Sequence, residues 1–447
     1  MAASDGRTGL GSLKRVGVRA ARNLITLVAI LAALLIPPRR RTLVWGPVPI
    51  INNRYWSLAM RDAGWESVTL MEDFYAINAR SDFDRYFEDL VPSLLRRTRL
   101  ARLLTPAMAL IWLIRHARVV HLPFTGGPLG RTSWWRLEAG LLRRKGIHTI
   151  VIPYGGDAHL YSRVIDPSLR FALQMSYPAE ARREREIAER VDYWTRQADV
   201  MITGTMIDGL GRTDVINVQP CCIDTRAWAA KSTYSRHDGR SGPVRVLHTP
   251  NHRGFKGTEF LVRSVEELQR EGLLVELVLL ERVPNEVVRQ TMQEVDILAE
   301  QFIASIYAMS GIEGMASGLP VLANLESEPH SRPFRRYSYL DECPALSTSP
   351  ETITANLRRL VTDPALRETL GRAGRQYVEK YHSFATAQYM FGAIYRKILD
   401  GEDVDLMRLF HPLVSPYVAA TPRIEHPLVE SHLPPVRSGV PERSVPS

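Results

Sequence analysis

Cysteine is scarce in this sequence of 447 residues, and the three that occur form no familiar cluster. Cys221 and Cys222 are adjacent, where they cannot easily bridge to each other, and Cys343 lies far along the chain. The sequence has no CxxC pair and no Cys/His spacing typical of zinc sites. These absences exclude a disulfide scaffold and favour a reducing compartment.

Several catalytic signatures are also missing. The chain has no HExxH motif for metal-assisted hydrolysis, no GxSxG turn for a serine hydrolase and no GxGxxG loop for a nicotinamide cofactor. Its histidines do not fall at metal-ligand spacings either. We therefore expect no metal and no organic cofactor.

Positive charge is in excess at one end of the chain only. The formal net charge is +9, but residues 1–41 hold eight basic residues against one acid, which leaves +2 for the other 406. A basic face on the folded body therefore has little support, and we expect no nucleic-acid partner. With 45% apolar and 23% charged residues, the composition is that of a globular protein, and the length suggests two domains with extensions.

One long apolar run stands out, Leu24–Ile36, with basic residues before it and Pro37, Pro38 and three arginines after it. As a helix it would span about 20 Å, well short of a hydrocarbon core of about 30 Å. We expect residues 1–41 to form a shallow anchor on the cytoplasmic face of the cell membrane. A spanning helix that recruits part of Val16–Asn23, a cleaved signal peptide and a buried helix are the alternatives.

A second stretch with mixed character covers residues 94–116. Five arginines alternate there with leucines at helical spacing, as in a helix lying on a membrane surface. A buried helix whose arginines extend to solvent explains the pattern equally well. Both interpretations stay open from the sequence.

From Thr42 onward, short apolar runs alternate with helical segments, which predicts an α/β fold with parallel sheets. We expect two Rossmann-like domains, at 42–229 and 243–400, joined by the polar linker 230–242. The cleft between them, faced by strand carboxyl ends, is the expected ligand site. Residues 401–447 contain eight prolines and are predicted to be mostly disordered. The predicted strands are Leu43–Trp45, Ser67–Leu70, Arg118–Leu122 and His148–Ile152 in the first domain, and Val244–His248, Val275–Leu280, Asp296–Ala299 and Pro320–Asn324 in the second.

The most informative segment is HTPNHRGFKGTEFLVRSVEEL, residues 248–268. It places Arg253 and Lys256, with Gly254 and Gly257, between a strand and the start of a helix. Glycines allow close approach of the backbone, a helix N-terminus favours anions, and the two cations add charge. The segment thus predicts a diphosphate site, with a glycine turn and solvent-facing cations as the alternative.

A second segment, EGMASGLPVLAN, runs from Glu313 to Asn324. Glu313 lies on a predicted helix just before the next strand, so that its carboxylate could face the same cleft and accept hydrogen bonds from a ribose diol. The alternative is a solvated or salt-bridged surface glutamate.

Together, RGFKG and IEGMASGLPVLA resemble the retaining nucleotide-sugar glycosyltransferases called family four, or group 1. The similarity covers residues 240–395 and ends at GRAGRQYVEKYHSF, and QPCCIDTRAW resembles the family's segment entering the second domain. The resemblance implies a GT-B fold, in which two Rossmann-like domains face each other across a cleft. It also implies that the donor binds in the C-terminal domain and the acceptor in the N-terminal one.

Carried over by motif, the family's basic pair on the donor diphosphate falls on Arg253 and Lys256, at a tighter spacing than usual. They would stabilise charge on the departing diphosphate, so that no metal is required. The family's second glutamate, a ribose ligand, falls on Glu313. The first, which contacts the transferred sugar, is replaced here by Ser305, and that departure raises the possibility of an inactive relative.

The acceptor side has weaker signals. VIPYGGDAHLYSR contains Asp157 and His159 after a strand, where either could position or deprotonate an acceptor hydroxyl. Alternatively, Asp157 caps a helix and His159 is an ordinary helix residue. The loops at 45–56 and 123–131 also lie after strands, but glycine loops of this kind are common.

These observations favour a membrane-associated glycosyltransferase. It would move a sugar, with retention, from a nucleotide-sugar donor to a lipid-linked or cell-surface polysaccharide acceptor. A catalytically silent relative that binds a nucleotide sugar or a partner enzyme at the membrane is the main alternative, because Ser305 stands where the family has glutamate. An epimerase or phosphorylase on the same fold is a third hypothesis.

Overall fold

The computed structural model of the protein describes residues 6–37, 39, 41–75, 78–98 and 100–428. These residues form two α/β halves, each built on a parallel sheet. The predicted two-sheet architecture is therefore confirmed. Because helices cover the sheets, the strands are buried and read as short apolar runs.

The N-terminal half contains a six-stranded sheet in the order β3-β2-β1-β4-β5-β6. Val44 of the central first strand pairs with Val68 on one side and Val120 on the other. The four predicted strands of this half agree with the structure to within one residue at each end. The strands are β1 (Thr42–Trp45), β2 (Ser67–Met71), β3 (Arg85–Tyr86), β4 (Ala117–Leu122), β5 (His148–Val151) and β6 (Val200–Met201).

The helices of this half alternate with its strands, apart from the first, which precedes the sheet. Asp166 caps the sixth helix, since its carboxylate accepts from the N–H groups of Ser168 and Leu169, and Pro167 occupies the first helical position. The helices are α1 (Gly6–Leu35), α2 (Ile51–Asp62), α3 (Ser93–Arg96), α4 (Ala101–His116), α5 (Glu138–Arg144), α6 (Pro167–Ser176), α7 (Pro178–Arg182) and α8 (Glu184–Gln197).

The C-terminal half contains a five-stranded sheet in the order β11-β10-β9-β7-β8. Its strand β9 extends six residues beyond the predicted end at Ala299. The predicted strand ends at Ala299 because the next two residues, Glu300 and Gln301, are polar. Both are nevertheless buried, because their side chains bind the ammonium of Lys256. The strands are β7 (Val244–His248), β8 (Val275–Leu279), β9 (Ile297–Ser305), β10 (Val321–Asn324) and β11 (Leu346–Ser347).

One helix of the C-terminal half, Phe384–Tyr395, packs against the first half. Within it, Gln388 donates to Ala59 O and Tyr395 OH lies 2.9 Å from His121 Nε2. The two halves are therefore joined by packing as well as by the linker. The helices are α9 (Arg253–Lys256), α10 (Thr258–Arg270), α11 (Asn285–Glu294), α12 (Met309–Ala316), α13 (Glu328–Tyr337), α14 (Ile353–Thr362), α15 (Pro364–Tyr381), α16 (Phe384–Tyr395) and α17 (Pro416–Ala419).

The tail differs from its prediction. Residues 401–428 are ordered against the C-terminal half, so the prediction of disorder is wrong for them, while 429–447 lie outside the described residues. Phe410 and Ile424 are buried, and Lys380 Nζ donates to the carbonyls of Thr421 and Pro422. The prolines lie in turns, and the apolar residues between them pack against the C-terminal half. Composition alone does not reveal this packing.

The apolar run of the N-terminus belongs to a helix of 30 residues, α1, that packs along α4. Ala29, Ile30 and Ala33 are buried, and Lys145 Nζ donates to the carbonyls of Leu34 and Ile36 at the helix end. Residues 101–116 accordingly form a buried helix rather than one lying on a surface. Over the part of the chain that the structure describes, no helix combines the length and hydropathy needed to cross a membrane.

The opposite face of α1 is apolar and open to solvent. Leu24, Val28, Leu31 and Leu35, which we call the exposed stripe, are 63%, 58%, 57% and 85% exposed. Their spacing of four, three and four residues places them on one side of the helix. Four adjacent apolar side chains left uncovered form a continuous patch, which is unusual for a protein surface.

Candidate functional site

A cavity of about 300 Å³ lies between the two halves. The N-terminal half contributes loops that follow β1, β5 and β6, and the C-terminal half contributes α9, the end of β9 and the start of α13. The carboxyl ends of both sheets therefore meet there, as expected for ligand sites of open α/β sheets. We call it the interdomain cavity.

The RGFKG segment forms a tight turn at this cavity. Residues Arg253–Lys256 make one helical turn after β7, and Gly257 closes it with a φ of 76°, in the left-handed region. A Cβ at Gly257 would lie 3.1 Å from Phe302 Cβ, so glycine is required both for its conformation and for the close packing on β9. Gly254 packs instead against α6, where Ser176 Oγ accepts from the N–H of Phe255.

Lys256 lines the interdomain cavity and is almost fully buried, at 5% exposure. Its Nζ lies 2.5 Å from Glu300 Oε1 and 2.8 Å from Gln301 Oε1. An ammonium has three donors, so one remains for a ligand. Glu300 Oε1 also accepts from Ser310 Oγ, whereas Glu300 Oε2 has no partner among the described residues.

Arg253 is placed differently from Lys256. Its guanidinium donates to Glu259 and Glu281, at 2.7 and 3.1 Å, and the hydrogen bond that it donates to Glu259 is the main reason why the pKa of Arg253 is raised. The side chain is 40% exposed, and Arg253 is not among the described residues that line the cavity. The structure therefore brings only one of the two predicted cations to the cleft.

Glu313 is buried on α12, near the cavity but not on its wall. Its Oε1 accepts from Asn285 Nδ2 at 3.1 Å, and burial raises the pKa of Glu313 from 4.5 to about 7. The carboxyl is thus held by the first residue of α11, and its burial favours the protonated form. A solvated surface position, the alternative considered from the sequence, is not what the structure has.

Ser305 ends β9 and lines the interdomain cavity. Its Oγ lies 3.4 Å from His330 Nδ1. The next residue, Ile306, has a φ of 67°, which is rare for a β-branched side chain and costs about 1–3 kcal/mol. This strained conformation is held by the hydrogen bonds of Ile306 N to Asn324 O and of Gln301 Nε2 to Ile306 O.

Asp157 holds two loops of the N-terminal half together. Its carboxylate accepts from the N–H groups of Phe124, Tyr154 and Gly155, at 2.8–3.2 Å, and no helix begins at this point. Burial raises the pKa of Asp157 from 3.8 to about 6. Its oxygens are engaged by backbone, so these contacts support a role in shaping the cleft.

His159 lies two residues further along the same loop and lines the interdomain cavity. Burial lowers its pKa from 6.5 to about 4, so the ring is neutral at physiological pH. It sits beside Asp208 and His330, whose charges also act on that pKa. Of the two residues predicted on the acceptor side, His159 is the one available to a ligand in the cleft.

His330 and Asp208 were missed from the sequence. His330 Nε2 lies 2.8 Å from Asp208 Oδ2, and both residues line the interdomain cavity. Neither belongs to a motif, but His330 follows β10 and Asp208 follows β6. Their position after strand carboxyl ends is the one signal that could have pointed to them.

A second cavity, of about 860 Å³, lies within the N-terminal half. Loops after β1, β2, β4 and β5 line it, including both glycine loops that the sequence singled out. Its wall carries the Trp135 ring, with Arg190 stacked 3.9 Å from the ring centroid, and an Arg131–Glu72 ion pair. Tyr154 and Gly156 line both cavities, so the two lie side by side and share part of a wall.

The buried side chain of Glu138 holds the glycine loop 123–131, which lines the second cavity. Its two oxygens accept from the N–H groups of Gly127 and Leu129, both at 2.9 Å, and burial raises the pKa of Glu138 to about 7. A Cβ at Gly126 or Gly127 would lie within 2.9 Å of this carboxylate. The glycines therefore serve a buried carboxylate of the protein itself.

Within the described ranges, no group of three or more His, Cys, Asp or Glu side chains converges as the ligands of a metal ion would.

No family model and no curated protein matches this chain. Similar solved structures include sucrose-phosphate synthase from Thermosynechococcus elongatus, with 14% identity over 81% of this chain and 100% of that one, and a TM-score of 0.48. HepE from Anabaena in complex with UDP-glucose is 11% identical over 79% of this chain and 98% of that one, with a TM-score of 0.48. A glycosyltransferase from Rickettsia africae is 10% identical over 81% of this chain and 100% of that one, with a TM-score of 0.45. At these values the likenesses establish no function for this chain.

Proposed function

We propose that the protein is a retaining glycosyltransferase that binds a nucleotide-sugar donor in the interdomain cavity. The observation that carries the proposal is the buried ammonium of Lys256, which lines a cavity between two parallel sheets beside the glycine-closed turn after β7. A cation and a tight backbone turn at the carboxyl edge of a sheet suit a diphosphate. The retaining outcome follows from the family resemblance of RGFKG and IEGMASGLPVLA.

In the proposed reaction, the bond from the sugar's anomeric carbon to the diphosphate breaks, and a bond to an acceptor hydroxyl oxygen forms. The acceptor's hydroxyl proton is released to solvent, and the diphosphate leaves with one additional negative charge. Lys256 would stabilise that charge, and its burial strengthens the effect because water is excluded. Glu313 would accept from the ribose once the nucleotide replaces its contact with Asn285.

The acceptor is proposed to be lipid-linked or a cell-surface polysaccharide, reached through the second cavity. Ser133 and Trp134 belong to the loop beside that cavity, and both are hydrogen-bonded to Asn23 of α1. The second cavity therefore lies next to the helix that carries the exposed stripe. We propose that this stripe, with the basic residues of 1–41, attaches the protein to the cytoplasmic face of the membrane, where such an acceptor is presented.

Vesicle binding tests the membrane part of the proposal. Leu24→Glu combined with Leu31→Glu should weaken binding to vesicles that contain anionic lipid by at least about tenfold, because two apolar contacts are replaced by charge. Leu413→Glu, at a residue 86% exposed elsewhere, is the matched control and should bind as the wild type does. Deleting 1–41 is a poorer test, since it would also uncover α4. Unchanged binding of the double variant would refute attachment through the stripe.

Turnover tests the transferase itself. Purified protein is given UDP- or GDP-linked sugars with and without a membrane lipid extract, and release of the nucleoside diphosphate is measured. We expect release that depends on the extract, with a product of unchanged anomeric configuration by NMR. One observation favours the silent relative, because Lys256 and Arg253 are both paired with carboxylates. Nucleotide binding without release under any of these conditions would favour that alternative.

A further inference from the structure

The two halves meet at a buried histidine–aspartate pair beside the cleft. His330 Nε2, from the C-terminal half, lies 2.8 Å from Asp208 Oδ2, from the N-terminal half. Their side chains are 3% and 8% exposed. Burial of a carboxylate and an imidazole is costly unless their hydrogen-bonding groups find partners. The partners of this pair therefore indicate what it can do.

The other ring nitrogen of His330 faces two hydroxyl groups. Nδ1 lies 3.0 Å from Ser327 Oγ and 3.4 Å from Ser305 Oγ. Ser327 donates its own proton to Asp166 Oδ2, so that its oxygen can only accept from His330. The imidazole is thus held in one orientation by groups on both sides, and it fixes Asp208 in turn.

One atom of this network is left without a partner. Asp208 Oδ1 is buried and makes no hydrogen bond within the described residues, although Asp208 lines the interdomain cavity. A carboxylate oxygen accepts hydrogen bonds and cannot donate them. The missing partner must therefore be a donor, such as a hydroxyl group of a ligand in the cavity. Ser305, on the same wall, offers a hydroxyl that can donate or accept.

This wall is connected to the lysine by a single side chain. Gln301 accepts from Lys256 Nζ through Oε1, and its Nε2 donates to Ile306 O, directly after Ser305. A ligand whose phosphate meets Lys256 therefore has its next group beside Ser305 and Asp208. In a nucleotide sugar, the diphosphate is flanked by the ribose on one side and by the transferred sugar on the other. Because Glu313 is the proposed ribose ligand, the group beside Ser305 is the sugar.

We propose that Asp208, with His330 as its positioning residue, binds a hydroxyl group of the donor's sugar beside Ser305 and selects sugars that present a hydroxyl there. This inference rests on the proposed function and extends it to the sugar. Because Asp208 and Ser305 come from different halves, the subsite is complete only when the halves stand as they do in this structure.

The test compares each nucleotide sugar with its own nucleoside diphosphate by calorimetric titration of the full-length protein. The probes are UDP-glucose against UDP and GDP-mannose against GDP. In Asp208→Asn, we expect the nucleotide sugar to bind at least about tenfold more weakly, as for a lost hydrogen bond to a charged group, while the diphosphate changes less than about twofold. Asp192→Asn, at an exposed acid paired with Arg196, should match the wild type.

The outcomes separate this inference from the function on which it rests. If none of UDP, GDP and ADP binds the wild type, the proposed function fails. If the diphosphate binds but Asp208→Asn weakens both ligands equally, or neither, the sugar subsite is refuted and the nucleotide site stands. If Asp208→Asn does not fold, Ser305→Ala and His330→Gln take its place. For each variant the affinity for the nucleotide sugar is divided by the affinity for its nucleoside diphosphate, and a purely structural role would not change this ratio.

Discussion

Buried charged groups at the carboxyl edges of the two sheets serve two different purposes. In the C-terminal half, Lys256 lines the cavity and Glu300 is buried against its ammonium, and each keeps a hydrogen-bonding position free. In the N-terminal half, the buried carboxylates of Asp157 and Glu138 are engaged by backbone N–H groups of the loops around them. The first arrangement leaves capacity for a ligand, and the second gives the loops their shape.

The difference shows that burial and a shifted pKa do not by themselves mark a ligand site. Glu138 and Glu313 both have a pKa raised to about 7 by burial, yet Glu138 supports a loop. What distinguishes the groups is whether their hydrogen-bonding capacity is used up within the protein. Four changes, taken from the largest expected effect to the smallest, test this distinction.

Removing the lysine should have the largest effect. Lys256→Ala is expected to lower turnover by roughly 10²–10³-fold, as for the loss of one preorganised donor to a developing charge. It also leaves Glu300 buried without its partner, which should cost several kcal/mol of stability, about 3–5 kcal/mol for a broken buried pair. Steady-state kinetics and thermal unfolding measure the two effects.

A paired variant separates these effects. Lys256→Met with Glu300→Gln removes both charges and should recover most of the stability without recovering turnover. Lys397→Ala, a lysine on the exposed surface, is the matched control and should behave as the wild type. Recovery of turnover in the paired variant would show that the lysine has only a structural role.

Removing a loop-supporting carboxylate should act on stability alone. Glu138→Ala leaves the N–H groups of Gly127 and Leu129 unpaired and should cost about 2–4 kcal/mol in denaturant unfolding. Nucleoside diphosphate affinity should not change. Glu189→Ala, at an exposed glutamate, is the control. A large loss of nucleoside diphosphate affinity in Glu138→Ala would contradict the claim that Glu138 only supports its loop.

The same glutamate predicts a pH effect of defined sign. Its pKa is raised from 4.5 to about 7 on folding, so between these values the folded state holds a proton that the unfolded state has lost. Wild-type stability should therefore fall with rising pH relative to Glu138→Gln, by up to about 3 kcal/mol between pH 4.5 and 7.5. Denaturant unfolding of both proteins at several pH values measures the difference. A difference independent of pH would show that the carboxyl is ionised throughout.

The smallest effect separates two glycines of the same turn. Gly257→Ala must adopt a φ of 76° with its Cβ 3.1 Å from Phe302, and should lose about 1–2 kcal/mol of stability. Gly254→Ala has ordinary backbone and meets Ser176 Oγ at 3.5 Å, so its change should stay within about 0.5 kcal/mol. Equal losses, measured by thermal unfolding, would mean that the turn is not held as the structure has it.

Much of the fold follows from the sequence, because short apolar runs between helical segments specify a parallel sheet. Where the pattern failed, polar residues were buried for a tertiary reason. The predicted strand ends before Glu300, because the partner that allows Glu300 to be buried, Lys256, is 44 positions away in the chain. The tail is predicted to be disordered from its composition, and composition does not show that Phe410 packs against residues of another region of the chain.

The candidate site was predicted in part. Lys256, Gly257, Ser305 and His159 meet at or beside the cleft, since each follows a strand whose carboxyl end lies there. Arg253 has the right residue type and position in the chain, but two glutamates engage it. His330 and Asp208 could not be paired from the sequence, because the contact forms only when the two halves come together.

The most direct measurement of the central claim is thermal stability with UDP, GDP, ADP and CMP, for the wild type and for Lys256→Met with Glu300→Gln. A ligand at a hundred times its Kd adds about 2.7 kcal/mol to the folded state. We predict that at least one nucleoside diphosphate stabilises the wild type and that the paired variant loses this response. No response from the wild type, or an equal response from both proteins, would contradict a nucleotide site at Lys256.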